Sequence, residues 1–113
     1  MIMQKTILIV DDDPGFVADM LNGIIDKNYS ISVADSLNRA INMIQCDAYD
    51  YIIANVKIPG GNSIVLKDKL RGDTKLLFMS NLESDSEFIK KSGDKFYYKL
   101  DMPNLMDLAL ENA

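Results

Sequence analysis

The chain has 113 residues, 17 acidic and 12 basic, with a net charge of −5, no histidine and one cysteine. That length holds one core rather than two, and the acidic balance disfavours attraction to nucleic acid. The missing histidine removes Ser-His-Asp and Cys-His catalysis and any Cys/His zinc constellation. A hydrophobic share of 48% and a charged share of 26% are ordinary for a globular chain. Apolar runs such as Ile7-Leu8-Ile9-Val10 fall far short of the roughly 20 residues that cross a bilayer. Met1-Ile2-Met3-Gln4-Lys5 lacks the basic, apolar and cleavage segments of a secretory signal. One cytoplasmic domain over residues 1–113 is expected.

The first strand is predicted at Thr6–Val10. The first helix follows, because Phe16, Val17, Met20, Leu21, Ile24 and Ile25 recur at helical spacing and Pro14 suits a first turn. A second strand at Ser30–Ala34 leads to a helix carrying Leu37, Ala40, Ile41 and Ile44, opened by Asp35 or Ser36 as N-cap. Cys46, with no internal disulfide partner, is read as a small buried apolar residue at the end of that helix. A third strand, Tyr51–Asn55, is followed by the turn-forming Pro59-Gly60-Gly61. A short helix is then expected from about Ser63 to Leu70, carrying Ile64, Val65 and Leu70 and ending before Gly72.

The fourth strand is predicted at Lys75–Met79, with a helix between Glu83 and Lys91 anchored by Phe88 and Ile89. The fifth strand is Lys95–Tyr98. The last helix, about Asn104–Glu111, follows Pro103 and turns Leu105, Leu108 and Ala109 inward. Alternating strands and helices, with strands apolar throughout, imply a parallel sheet covered on both faces. The fold class is therefore α/β, a doubly wound five-stranded sheet of order 2-1-3-4-5. In such sheets functional residues collect beyond the carboxyl ends of the strands.

Those ends are polar. The first strand runs into Asp11-Asp12-Asp13, adjacent carboxylates whose mutual repulsion calls for a cation, and whose hard oxygens suit Mg²⁺. Asp13, followed by Pro14, is the one best placed to cap a helix. The third strand ends at Asn55, the fourth at Ser80 and the fifth at Lys99. Carboxylates, an amide, a hydroxyl and an ammonium at adjacent strand ends suit a metal and a phosphate.

The ordered set of motifs resembles the response regulator receiver family along essentially the whole chain, which implies a flavodoxin-like receiver fold and a bacterial phosphorelay role. Ile7-Leu8-Ile9-Val10-Asp11-Asp12-Asp13-Pro14 resembles the family's acidic opening, implying that Asp11 and Asp12 are its metal-binding pair. In Asp50-Tyr51-Ile52-Ile53-Ala54-Asn55-Val56-Lys57-Ile58-Pro59-Gly60, the residue four before the proline matches the phosphorylated aspartate, and that residue is Asn55. The resemblance implies a weak Mg²⁺ site of Asp11, Asp12, the Asn55 oxygen and the Lys57 backbone carbonyl. Leu76-Leu77-Phe78-Met79-Ser80 resembles the strand with the switch hydroxyl. Phe96-Tyr97-Tyr98-Lys99 resembles the strand with the aromatic switch residue, Phe96, and the phosphate-contacting lysine, Lys99. Partners implied are a histidine kinase, an output domain or another signalling protein, with no nucleic acid or membrane bound by this domain itself.

Asparagine is neutral and its oxygen is a poor nucleophile, so phosphorylation at Asn55 is not expected and the chain is read as a binding module rather than an enzyme. Leu100 stands where the family usually has proline. Two origins of Asn55 fit the sequence: a natural pseudo-receiver, or an ordinary phosphorylatable receiver engineered from Asp to Asn at 55; in either case the domain is compatible with having been cut from a longer regulator. A third reading, a phosphatase of the haloacid dehalogenase type, makes Asp11 the nucleophile and Asp13 the general acid, but no later strand supplies its second acidic pair.

Overall fold

The computed structural model describes residues 4–24 and 28–113. Lys5–Val10 forms β1, Tyr29–Ala34 β2 and Tyr51–Asn55 β3, with helices Pro14–Asn22 (α1) and Leu37–Cys46 (α2) between them. Two short strands, Lys57–Ile58 (β4) and Gly61–Asn62 (β5), lead into a 3-10 helix at Ser63–Lys69. Lys75–Ser80 (β6), Glu83–Lys91 (α3), Lys95–Tyr98 (β7), a 3-10 turn at Lys99–Asp101 and Met102–Glu111 (α4) complete the chain. The main sheet is parallel, in the order β2-β1-β3-β6-β7. With the β4–β5 hairpin set aside, this is the expected 2-1-3-4-5 order.

The strands are apolar on both faces because both faces are covered. Along β1 the side chains alternate: Leu8 and Val10 pack with Ala40, Ile44, Leu66 and Ile89, while Ile7 and Ile9 pack with Val17, Met20, Met106 and Leu110. α2, the Ser63–Lys69 helix and α3 therefore cover one face, and α1 and α4 the other. The base of β1 is fixed to the segment before β3 by Thr6, whose backbone N–H and hydroxyl donate to Asp50, while the Asp50 N–H donates back to Thr6 Oγ1.

Several local expectations change. The third helix is 3-10 rather than α, so Leu66, at 0% exposure, is its core residue, and Val65 lies on the surface. A helix with three residues per turn moves side chains off the α-helical stripe. In α3, Ile89 is buried as expected, but Phe88 is exposed and Asp85 and Ser86 face inward. In α4 the helix begins at Met102, with Pro103 inside its first turn. Leu108 is 54% exposed, and Met102, Met106, Ala109 and Leu110 form the inner stripe. Leu105 is half-buried. Leu21 is exposed, Ile24 follows the end of α1, and Ile25 lies outside the described residues. Cys46 closes α2 as expected but is exposed, not buried. It falls off the Leu37, Ala40, Ile44 stripe that meets the sheet.

The loop after Asn55 is held by backbone geometry. Gly60 and Gly61 have φ values of 102° and 145°, a region that favours glycine. A Cβ on either would lie 3.2 Å from the Leu37 side chain. Pro59 O accepts from Leu37 N at 2.9 Å, so the hairpin tip rests on the N-terminus of α2.

Candidate functional site at the carboxyl edge of the sheet

Strand register brings the expected polar residues to one edge. Val10, Ala54, Phe78 and Phe96 form one row across β1, β3, β6 and β7. One residue further on, Asn55 pairs with Met79 and Met79 with Tyr97, and beyond these Ser80 pairs with Tyr98. Asp11 directly follows Val10, and Lys99 directly follows Tyr98. The parallel pairing thus assembles Asp11, Asn55, Ser80 and Lys99 from four segments far apart in sequence.

Asp11 is 1% exposed and both its oxygens are engaged. Oδ1 accepts from the Asp13 backbone N–H at 2.9 Å, and Oδ2 forms an ion pair with Lys99 Nζ at 2.9 Å. Lys99 is itself nearly buried, and its ammonium sits 4.6 Å from the centre of the Phe16 ring. A desolvated ammonium gains from both partners, since the aromatic face is electronegative and the carboxylate carries full charge. Asp12 is exposed. Together with Asp11 it lines a cleft of about 370 Å³ bounded by Val17, Leu21, Val33 and Asp35, in which Asp12 is the solvent-exposed carboxylate and Asp11 the buried one.

Asp13 has a different task. Its Oδ1 accepts from Gly15 N at 3.0 Å and Phe16 N at 3.2 Å, capping α1, as the Asp-Pro sequence predicts. At α2 the cap is Ser36, which accepts from Arg39 N at 3.2 Å, while Asp35 pairs with the Arg39 side chain.

As a metal site the edge has few free ligands. Asp11 is already neutralised by Lys99, Asp12 is an exposed carboxylate, and Asn55 is a half-buried amide carrying no charge. Among the described residues no group of three or more His, Cys, Asp or Glu side chains converges as a metal ligand set. A hard divalent cation prefers charged oxygens, so these residues fit a weak site rather than a tight one.

Ser80 is 4% exposed, and its environment includes a residue that the sequence reading missed. Its hydroxyl donates to Asp85 Oδ2 at 2.7 Å and accepts from Leu82 N at 3.0 Å. Asp85, in the first turn of α3, is 5% exposed, and its Oδ1 lies 3.6 Å from Lys57 Nζ. Lys57, expected to matter through its backbone carbonyl, thus also brings its exposed side chain to this cluster. The available signal was an acidic residue in a first helical turn five positions after Ser80, a pattern that reads as ordinary helix-dipole complementarity.

Phe96 is half-buried against the core on the α2 and α3 side, and its ring meets Tyr98 edge-on at 5.2 Å. Tyr97 packs on the opposite face. The Tyr98 hydroxyl donates to Glu83 at 2.6 Å, tying β7 to α3, and Leu100 N donates to Asn81 Oδ1 at 3.0 Å. Among the described residues, no helix is long and apolar enough to cross a membrane.

The model of the response regulator receiver domain matches residues 7–96. No curated protein matches the chain. Among solved structures, the chemotaxis response regulator CheY4 of Vibrio cholerae superposes with a TM-score of 0.80 at 19% identity, over 97% of this chain and 98% of that one. A CheY-like receiver domain protein from Methanospirillum hungatei JF-1 gives 0.81 at 19% identity, over 96% and 92%. A two component transcriptional regulator AraC from Clostridium phytofermentans ISDg gives 0.80 at 27% identity, over 96% and 90%. With the family model covering most of the chain and the fold matching from end to end, this chain belongs to the response regulator receiver domain family of two-component signalling.

Proposed function

We propose that this receiver works as a protein-interaction module that stores no phosphoryl group at Asn55. The observation that carries this reading is the residue itself: at the end of β3, where the family motif has its phosphorylated aspartate, the chain has an amide. Phosphoryl transfer to a receiver requires an anionic oxygen as nucleophile. The Asn55 amide oxygen is neutral and forms no stable analogue of an acyl phosphate.

In this reading Mg²⁺ binds weakly, through Asp11, Asp12, the Asn55 side-chain oxygen and the Lys57 backbone carbonyl. When bound, the ion supplies positive charge for a phosphoryl group. Without the ion, the chain's own Lys99 already neutralises Asp11. Ser80, Phe96 and Lys99 keep the family's switch and phosphate-contact positions without an acyl phosphate to read. The domain is a cytoplasmic signalling module and not an enzyme, and its partners are a histidine kinase, an output domain or another signalling protein.

A docking face is supported by the apolar side chains that α3, β7 and the following turn leave outside: Leu82, Phe88, Tyr98 and Leu100, the last 77% exposed. Apolar side chains grouped on a surface favour a protein partner.

The test is intact-mass spectrometry of the chain and its Asn55→Asp variant after incubation with Mg²⁺ and acetyl phosphate. The expected result is a phosphoryl adduct on the aspartate variant alone. An adduct on the Asn55 chain would overturn the reading. No adduct on either would mean that more than Asn55 has silenced the site.

A further inference from the structure

The cluster of Ser80, Asp85 and Lys57 lies beside the acidic site but is not explained by it. A carboxylate that is 5% exposed is costly to bury unless both oxygens are compensated. Here each oxygen has its own partner: Oδ2 accepts the Ser80 hydroxyl at 2.7 Å, and Oδ1 faces Lys57 Nζ at 3.6 Å. A serine hydroxyl has one proton to donate. That proton is committed to Asp85, so Ser80 cannot donate toward position 55 without first releasing a buried carboxylate.

We propose that Asp85 is a positioning residue, an internal anion that claims the Ser80 hydroxyl and clamps the first turn of α3 to the end of β6 without any phosphoryl group. The same hydroxyl accepts the Leu82 N–H at 3.0 Å, so the chain from β6 into α3 is fixed by one three-part contact: Leu82 N–H to Ser80 Oγ, Ser80 O–H to Asp85, and Asp85 to Lys57. Lys57 opens β4, the first strand of the hairpin after β3, so the clamp also joins that hairpin to α3. Asp85 thereby presents to Ser80 the anionic oxygen that a phosphoryl group would otherwise present. The orientation of α3, and with it exposed Leu82 and Phe88, is set by a residue within the fold.

The clamp concerns Ser80 and α3 and holds whether or not Asn55 can be phosphorylated. Its test uses the Asn55 chain with no phosphodonor, so its failure leaves the reading of Asn55 untouched. Amide hydrogen exchange is followed by NMR across residues 80–91 and across β1 and β3 in the chain and in Ser80→Ala, Asp85→Ala and the double variant. Losing a hydrogen bond to a buried charged group is expected to raise exchange at Leu82 by about tenfold in each single variant. The double variant is expected to be no faster than the faster single one, with β1 and β3 unchanged. Rates that multiply in the double variant mean that the two residues act independently, and overturn the clamp. So does an Asp85→Ala chain that folds and exchanges like the parent at Leu82.

Lys57→Met supplies an arm that does not threaten folding, because Lys57 is largely exposed. It is expected to raise Leu82 exchange by about two- to threefold, as suits a partly solvated ion pair. If Asp85→Ala does not fold, Asp85→Asn replaces it. The amide can still accept from Ser80 but no longer attracts Lys57, so Lys57→Met should have no further effect in that background. A full additional effect there would equally overturn the clamp.

Discussion

Lys99 Nζ lies 2.9 Å from Asp11 Oδ2, joining the turn after β7 to the end of β1 across two intervening strands. The pair holds a fully buried carboxylate side chain and a nearly buried ammonium, and Phe16 covers the ammonium from one side. It gives the acidic edge a cation that belongs to the protein.

Removing that cation strands the carboxylate. Lys99→Met is expected to destabilise the domain by about 3 kcal/mol, the scale for breaking one partner of a buried pair. Mg²⁺ should stabilise this variant more than the parent, because an ion that binds only the folded state adds stability in proportion to its occupancy. Urea melts with Mg²⁺ or EDTA measure both effects. An equal Mg²⁺ response in the two proteins would show that Lys99 and the metal do not compete.

Asn55→Asp places another carboxylate beside Asp11 and Asp12. In EDTA the variant is expected to melt below the parent, by about 1 kcal/mol for a like charge a few Å away at a protein surface. Saturating Mg²⁺ should narrow or reverse the difference. A variant more stable than the parent in EDTA would show that the edge tolerates the added charge.

The cap at Asp13 is separable from the metal question. Asp13→Ala removes the acceptor for Gly15 N and Phe16 N and is expected to cost about 1 kcal/mol. Its Mg²⁺ response should match the parent's. A lost Mg²⁺ response would make Asp13 part of the ion site.

The facing of the Ser63–Lys69 helix, with Leu66 buried and Val65 on the surface, makes a prediction of its own. Leu66→Ala is expected to cost about 2–5 kcal/mol as a fully buried leucine, while Val65→Ala should fall within about 0.5 kcal/mol. Chemical denaturation of the two variants decides the register of this segment.

The sequence determined the layered fold because its signals are local and repeated. Apolar strands flanked by helical periodicity require a parallel sheet covered on both sides, and all five strands lie within a residue of where their side chains predict them. It also determined the cap at Asp13 and the row of Asp11, Asn55, Ser80 and Lys99 at the strand ends, since strand order and termini place such residues together. Side-chain facing was less legible in the short helices. Phe88, Leu108 and Cys46 are apolar by type but point outward, because the helical phase is set by packing against the sheet. Only the tertiary structure decided how the charges pair. Asp11 with Lys99, and Asp85 with both Ser80 and Lys57, join residues whose separations along the chain carry no periodicity. Burial supplies the physical reason: a charge removed from water must find a partner wherever the fold has brought one within reach.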